Sequence, residues 1–240
     1  MSTVRALLAA AGHDFSSTLA RLVVRAGVLR DEILANPSAP PTDLVLDGLA
    51  HIEATAETMR VQLAHLLDLA SLEPRAPPLR LVRSPTDLLW LVCRIADDFQ
   101  LTTRRHRLRV EQRAAQVFGY WDPSLLERVF ANLIGNAVKF SPGGGEIRVS
   151  VEREVDALGA WALVHVQDQG LGVPAADLGD IFKPFVRASN VRDIEGAGIG
   201  LASAWVIVVQ HGGTISAVSQ EGTGSTFTVR LPLGPAEDRS

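Results

Sequence analysis

Two asparagines and a lysine stand at helical spacing in the second half of the chain. Asn132 and Asn136 are four residues apart and share one face of a helix, and Lys139 lies three residues further on the same side. An amide oxygen is a suitable hard ligand for Mg²⁺, which keeps several waters and bridges to phosphates. Taken alone, these residues are better explained as an exposed helix surface, so their chemistry depends on what accompanies them.

A carboxylate and two glycines follow an apolar run further along the chain. Asp168 comes directly after the run 163–167 and precedes Gly170 and Gly172. A carboxylate at the end of a strand can accept a hydrogen bond from a ligand, and glycines let the backbone turn sharply and approach that ligand closely. By itself, this pattern is also that of an ordinary turn.

Three further glycines lead into a predicted helix. Gly196, Gly198 and Gly200 precede a helix that begins near Leu201. The first backbone N–H groups of a helix have no partner within it, and the helix dipole favours an anion there. The pattern therefore indicates a binding site for phosphate.

Four segments of the chain follow one another in an informative order: 132–140, 168–172, 182–185 and 196–201. They resemble the N, G1, F and G2 boxes of the ATP-binding domain of sensor histidine kinases, within the wider group that includes gyrase, Hsp90 and MutL. This resemblance implies ATP and Mg²⁺ as cofactors and a catalytic domain of the Bergerat (GHKL ATPase) type.

The resemblance also implies roles for single residues. Asn136 would ligate Mg²⁺, Lys139 would contact phosphate, and Phe140 would lie near the adenine, whose amine Asp168 would bind. Asn132 occupies the place where gyrase-like and Hsp90-like proteins carry the glutamate that activates water. Efficient hydrolysis of ATP is therefore not expected.

A lid over the nucleotide is implied for residues 182–196. Arg187 matches an arginine that points towards the terminal phosphate in the family. The segment 222–227 matches the last glycine motif of the family, and it is equally typical of a hairpin turn.

A histidine near the N-terminus is the predicted phosphoacceptor. The segment 13–19 resembles the H box of the family, and His13 lies on the order of 160° round the helix from the apolar seam described below, so it faces solvent. Asp14 could accept the Nδ1 proton and make the other ring nitrogen the nucleophile. By resemblance, Ser17 would position water for dephosphorylation of the partner. Ser16 and Thr18 replace the usual arginine and proline, which leaves the balance of kinase and phosphatase activity open.

Two amphipathic helices are predicted in residues 1–72, interrupted by a proline-rich segment at 36–42. The apolar seam of the first helix is Val4, Leu8, Ala11, Phe15, Leu19, Leu22, Ala26, Leu29 and Ile33. The seam of the second is Leu49, Ile52, Ala56, Met59, Leu63, Leu66 and Ala70. We expect an antiparallel hairpin that dimerises into a four-helix bundle, with packing against the C-terminal domain as the alternative.

Residues 73–83 are predicted to be a linker, 84–233 the catalytic domain and 234–240 a disordered tail. Within the catalytic domain, a helix is predicted to start near Ser84 with Pro85 in its first turn. Further helices are predicted at 123–140 and 200–211, and strands at 107–111, 116–120, 146–151, 161–167, 214–219 and 225–231. This order indicates an α+β two-layer sandwich with helices on one face of a mixed sheet.

Composition narrows the class of protein. The net charge of −4 gives no electrostatic case for nucleic acid, and no apolar run reaches the length of a membrane span. The single cysteine, Cys93, cannot form an internal disulfide. We therefore expect a cytoplasmic protein that receives its signal from a separate sensor protein or from sequence outside this chain.

The combined prediction is an ATP-dependent histidine autokinase. It would pass the phosphoryl group from His13 to an aspartate of a response-regulator receiver domain, with His13 phosphorylated in cis or in trans within the homodimer. The alternatives are a dimeric phosphotransfer or scaffold module with little autokinase activity, and a serine kinase such as those of anti-sigma factors. The pair His13 and Asp14 argues against the last.

Overall fold

The structure is a computed structural model that describes residues 18–20, 22–31, 33–34, 45–52, 55–56, 80–114, 116–191, 193–194 and 198–234. The chain divides into two compact units, Met1–Ala76 and Pro77–Ser240. The predicted phosphotransfer residues His13, Asp14 and Ser17 lie outside the described residues, as does most of the predicted linker and tail.

The described residues of the first unit are helical. Leu29 is buried, and a Cβ atom added to Gly48 would lie 2.7 Å from its Cδ1 atom, so the helical residues on either side of the proline-rich segment meet here. Leu29 belongs to the predicted seam of the first helix. In the second helix the predicted seam residue Leu49 is 47% exposed, and Gly48 is the buried position because its missing side chain lets the other helix approach. The hairpin as a whole stays a prediction.

The described part of the second unit contains three α-helices, α1 (Leu88–Thr102), α2 (Pro123–Lys139) and α3 (Gly200–Gln210). Its strands are β1 (Ser84–Asp87), β2 (His106–Gln112), β3 (Phe118–Trp121), β4 (Gly145–Asp156), β5 (Gly159–Gln167), β6 (Thr214–Gln220) and β7 (Gly224–Pro232). A short 3₁₀-helix covers Ser189–Val191. No helix among the described residues of the chain is long and apolar enough to cross a membrane.

Five of the strands form one mixed sheet in the order β2-β4-β5-β7-β6. Strands β2 and β4 are parallel, and the other neighbours are antiparallel. Strands β1 and β3 form a separate antiparallel ribbon. The crossover between the parallel strands β2 and β4 contains α2, as a parallel connection requires.

The helices cover one face of the sheet. Alternate residues of the three central strands are fully or almost fully buried and join the helices in one core, among them Val149 of β4, Val164 of β5 and Val229 of β7. The residues between them are polar, as in the cross-strand neighbours Ser150 and His165. This alternation is what a sheet with one covered face requires. The α+β sandwich predicted for this part of the chain is confirmed.

The starts of α1 and α2 are both determined by an aspartate. Asp122 accepts a hydrogen bond from the Leu125 N–H at 3.1 Å, and Pro123 follows in the first turn. Asp87 caps α1 in the same way, so the prediction that this helix starts near Ser84 is wrong. Pro85 instead lies in strand β1 of the two-stranded ribbon, where a proline is tolerated because an edge strand leaves some N–H groups unpaired.

Candidate functional site

The carboxyl group of Asp168 lies just beyond the end of β5, and the residue is 6% exposed. Its Oδ1 atom accepts hydrogen bonds from the backbone N–H groups of Gly170 at 2.9 Å and Ser225 at 3.2 Å. Burial raises the pKa of this carboxyl, and the two hydrogen bonds partly oppose that shift. Since both bonds end on Oδ1, the second oxygen is left to accept a hydrogen bond from a ligand.

The two glycines after Asp168 allow the loop to pack closely between its neighbours. A Cβ atom on Gly170 would lie 2.2 Å from the carbonyl oxygen of Phe140, and one on Gly172 would lie 2.1 Å from that of Gln220. Gly172 also has φ of +64°, a conformation that side chains disfavour. The loop is therefore held between the end of α2 and the β6–β7 turn, and both predicted glycines are required by packing.

The β6–β7 turn is part of the site and a hairpin turn at once. Gly224 lies against the backbone of Asp168, because an added Cβ atom would be 2.2 Å from the Asp168 carbonyl oxygen. The N–H of Gly222 donates to the carbonyl of Leu171 at 2.8 Å. The hairpin turn that the sequence allows is thus present, and its backbone lies against the loop after Asp168.

Helix α2, which carries Asn132 and Asn136, contacts the start of α3. Asn132 is half-buried on α2, and a Cβ atom on Gly200 would lie 2.9 Å from its Oδ1 atom. Asn136, one turn later, is half-buried too. Lys139 is exposed, with its Nζ atom 5.4 Å from the ring centroid of Phe140. The structure brings the N box and the last glycine of the G2 box together.

The start of α3 has the properties of an anion site. Its N-cap residue, Ile199, makes no capping hydrogen bond through its side chain, and the first turn of the helix carries no acidic residue. The first N–H groups of α3 therefore have no side-chain acceptor within the described residues. Leu201 is half-buried and packs against the core, while the predicted Gly196 lies outside the described residues.

A backbone hydrogen bond joins the two ends of the predicted lid. The N–H of Phe185 donates to the carbonyl of Gly198 at 2.8 Å, and both residues have positive φ angles, +65° and +69°. Arg187 donates through its guanidinium group to the carbonyls of Val191 and Ile194, inside the lid. In this conformation Arg187 thus serves to hold the lid backbone.

These features fit an adenine nucleotide with its metal ion. A buried acceptor oxygen with its glycine loop matches the base, and an uncapped helix start matches the phosphates. The amide of Asn136 is a hard oxygen donor of the kind that suits Mg²⁺. No group of three or more His, Cys, Asp or Glu residues that could hold a metal ion exists among the described residues.

Comparison with known proteins agrees with this geometry. Residues 121–235 match the family of histidine kinase-, DNA gyrase B- and HSP90-like ATPases. The chain is 32% identical over 237 residues to the sensor protein KdpD of Mycobacterium tuberculosis, a match that covers 98% of this chain and 26% of KdpD. It is 34% identical over 141 residues to the sensor histidine kinase WalK of Bacillus subtilis, a match that covers 58% of this chain and 23% of WalK.

The structure is also similar to that of the mycobacterial sensor histidine kinase MprB, with 26% identity and a TM-score of 0.55 over 63% of this chain and 97% of that one. The chain is thus similar to sensor histidine kinases over almost its whole length. It spans about a quarter of the length of KdpD and of WalK. All four boxes lie within the matched residues 121–235, whereas the histidine segment 13–19 lies before them.

Two residues that the sequence did not single out connect the lid to the site. The Oδ2 atom of Asp177 accepts hydrogen bonds from the N–H and the hydroxyl of Ser189, both at 2.7 Å. The Nδ2 atom of Asn190 donates to the carbonyls of Leu171 at 3.4 Å and Gly172 at 3.0 Å. No spacing pattern marks these residues, because their partners are distant in sequence and meet only through the fold.

Proposed function

We propose that the chain is the ATP-dependent autokinase core of a two-component system. It transfers the γ-phosphoryl group of ATP to His13 and then to an aspartate of a response-regulator receiver domain. The observation that carries this assignment is the buried carboxyl of Asp168, whose Oδ1 is held by two backbone N–H groups. That arrangement leaves its other oxygen as an acceptor for the base.

Each part of the nucleotide has a matching group. Asp168 accepts the adenine amine, and the N–H groups at the start of α3 hold phosphate oxygens. Asn136 holds Mg²⁺, which neutralises charge on the phosphates when bound. Lys139 and Arg187 add positive charge near the terminal phosphate. Arg187 reaches it by exchanging the lid carbonyls to which it now donates.

The acceptor chemistry belongs to His13 and its neighbour. Asp14 accepts the Nδ1 proton, so Nε2 carries the lone pair that attacks the γ-phosphorus. A P–N bond forms as the bond between the γ-phosphorus and the bridging oxygen breaks, and ADP leaves. Asn132, an amide that cannot take a proton from water, protects ATP from hydrolysis in competition with this transfer. Ser17 positions water for the opposing reaction, dephosphorylation of the partner.

We further propose that two copies of the chain associate through the first unit. Its described helical residues expose several large apolar side chains, namely Val23 (60%), Val24 (65%), Leu34 (66%) and Leu46 (58%). Several exposed apolar side chains on helices are typical of an interaction surface. A four-helix bundle formed by two hairpins would cover such surfaces.

The test is incubation of the chain with γ-³²P-ATP and Mg²⁺, with His13→Gln and His51→Gln compared with the wild type. We expect a label that is stable in base and labile in acid, as a phosphohistidine is, and that is lost only in His13→Gln. His51 is a matched control because it lies on an exposed position of the same unit.

Two results would contradict this function. A label of equal strength in His13→Gln would move the acceptor to another residue. Tight ATP binding without any label, with a receiver domain present or absent, would favour the dimeric phosphotransfer or scaffold module.

A further inference from the structure

We infer that Asn190 is a positioning residue that couples the adenine-binding loop to the lid. The inference rests on the proposed nucleotide site and assigns a role to a side chain outside the predicted phosphate-binding groups. The link consists of the hydrogen bonds from its Nδ2 atom to the carbonyls of Leu171 and Gly172.

The loop end of this link is anchored by backbone contacts. Gly172 is pressed against the backbone of Gln220. Leu171 is held by two backbone hydrogen bonds, from its N–H to the Phe140 carbonyl at 2.9 Å and from the Gly222 N–H to its carbonyl at 2.8 Å. Asn190 therefore binds carbonyl groups whose positions are already determined by the same packing that places Asp168.

The lid end of the link is anchored as well. Asn190 is the middle residue of the 3₁₀-helix Ser189–Val191. The start of this helix is held by the hydrogen bond from the Ser189 N–H to Asp177, and its end is buried at Val191. Arg187 donates to the carbonyl at the end of this same helix. Movement of Asn190 therefore moves the first half of the lid.

The orientation of the amide follows from its partners. Only the Nδ2 group can donate to two carbonyls, so it must face the loop. The Oδ1 atom is then buried without a hydrogen-bond partner among the described residues. A buried acceptor without a partner is unfavourable. The contact of the amide with the loop must therefore offset this cost. It also offers an acceptor for a donor that arrives when the lid rearranges.

The consequence is a path from base to lid that does not require the γ-phosphate. When adenine restrains the loop further, Asn190 transmits that restraint to the 3₁₀-helix and to Arg187. ADP should therefore protect the lid as well as the loop. Without Asn190, adenine should restrain the loop alone.

The test is hydrogen–deuterium exchange of the full chain with saturating ADP and Mg²⁺. Exchange is followed in two peptides. Peptide 168–173 contains the hydrogen-bonded N–H of Leu171, and peptide 186–194 contains those of Val191 and Ile194. The variants are Asn190→Ala, Asn190→Ser and Asn190→Asp, and the matched control is Ser189→Ala, whose backbone N–H bond to Asp177 remains. The third variant is isosteric with the wild type and would place a carboxylate against two carbonyls.

In the wild type and in Ser189→Ala, we expect ADP to slow exchange in both peptides. In the Asn190 variants, slowing should persist at 168–173 and fall at least threefold at 186–194. Their ADP dissociation constants should rise by up to about tenfold, because at most the full free energy of these two hydrogen bonds, which also form without nucleotide, can couple to binding; the rise should be larger for Asn190→Asp.

The inference would be overturned if ADP protected the lid as strongly in the variants as in the wild type, provided that these variants melt at the same temperature as the wild type. The inference would also be overturned if the Asn190 variants lost protection equally in both peptides at saturating ADP. Asn190 would then support only the loop. An unchanged loop peptide in the wild type itself would overturn the nucleotide site, and this inference with it.

Discussion

Replacement of Asp168 by asparagine should weaken nucleotide binding while leaving the fold as stable as before, or more so. The amide keeps an Oδ1 atom that accepts the same hydrogen bonds from Gly170 and Ser225. It replaces the second, ligand-facing oxygen by an NH₂ group, which cannot accept a hydrogen bond from the adenine amine. A hydrogen bond to a charged group contributes about 1.5–3 kcal/mol, so the ADP dissociation constant should rise about ten- to a hundredfold.

The stability effect has a defined dependence on pH. Burial raises the pKa of Asp168 in the folded chain, so folding favours its protonated form. The ionised carboxyl therefore lowers stability above its folded pKa, and this penalty disappears as the pH falls through that pKa towards the value of an unfolded aspartate. Asp168→Asn carries no such charge. Its melting temperature should thus equal or exceed that of the wild type at pH 7, and the difference should shrink towards pH 4.

The assays are isothermal titration with ADP at pH 7 and thermal unfolding of the nucleotide-free chain between pH 4 and pH 7. Asp98→Asn is the control, because Asp98 is an exposed carboxylate on α1. Unchanged ADP affinity in Asp168→Asn would refute the role of this carboxyl in adenine binding. A melting temperature several degrees below the wild type at pH 7 would refute the claim that burial of the charge is unfavourable.

Two further predictions concern the fold around the site. Gly172→Ala should lower the free energy of unfolding in urea by about 1–3 kcal/mol or more, because its φ is +64° and the added Cβ atom would lie 2.1 Å from a backbone oxygen. Gly143→Ala is the control and should be close to neutral, because the space around Gly143 is open. His211 accepts a hydrogen bond from the Asp122 N–H at 3.0 Å, and burial lowers its pKa, so its neutral form stabilises the fold above the unfolded value of about 6.5 and that contribution is lost as the pH falls. The urea midpoint of the wild type should therefore drop more between pH 7.5 and pH 5.5 than that of His211→Gln, and equal drops would contradict this account.

Much of the second unit follows from local sequence rules. The helix α2 combines a capping aspartate, a proline in its first turn and apolar residues at helical spacing. The central strands alternate between buried and less buried residues, as β7 does from Thr226 to Pro232. These signals act within a few residues of each other, so they can be read without knowledge of the fold. The same is true of the four boxes, whose order along the chain indicated the family.

The start of α1 shows where local rules are insufficient. Pro85 fits the first turn of a helix, and the sequence around it offers no objection to that assignment. The actual start of α1 depends on the pairing of Ser84–Asp87 with Phe118–Trp121, more than thirty residues away. That pairing leaves the Asp87 side chain able to cap the helix. A non-local strand partner thus decided between two locally acceptable conformations.

The sequence by itself therefore determined the resemblance to sensor histidine kinases, the sandwich of the second unit and most residue types of the proposed nucleotide site. Only the tertiary structure decided which oxygen of Asp168 is held and which is left for a ligand, that Arg187 donates within the lid, and that Asn190 joins the lid to the loop. Most of these features depend on hydrogen bonds between segments far apart in sequence. Their donors and acceptors are ordinary residues, which become specific only when packing brings their atoms within about 3 Å of each other.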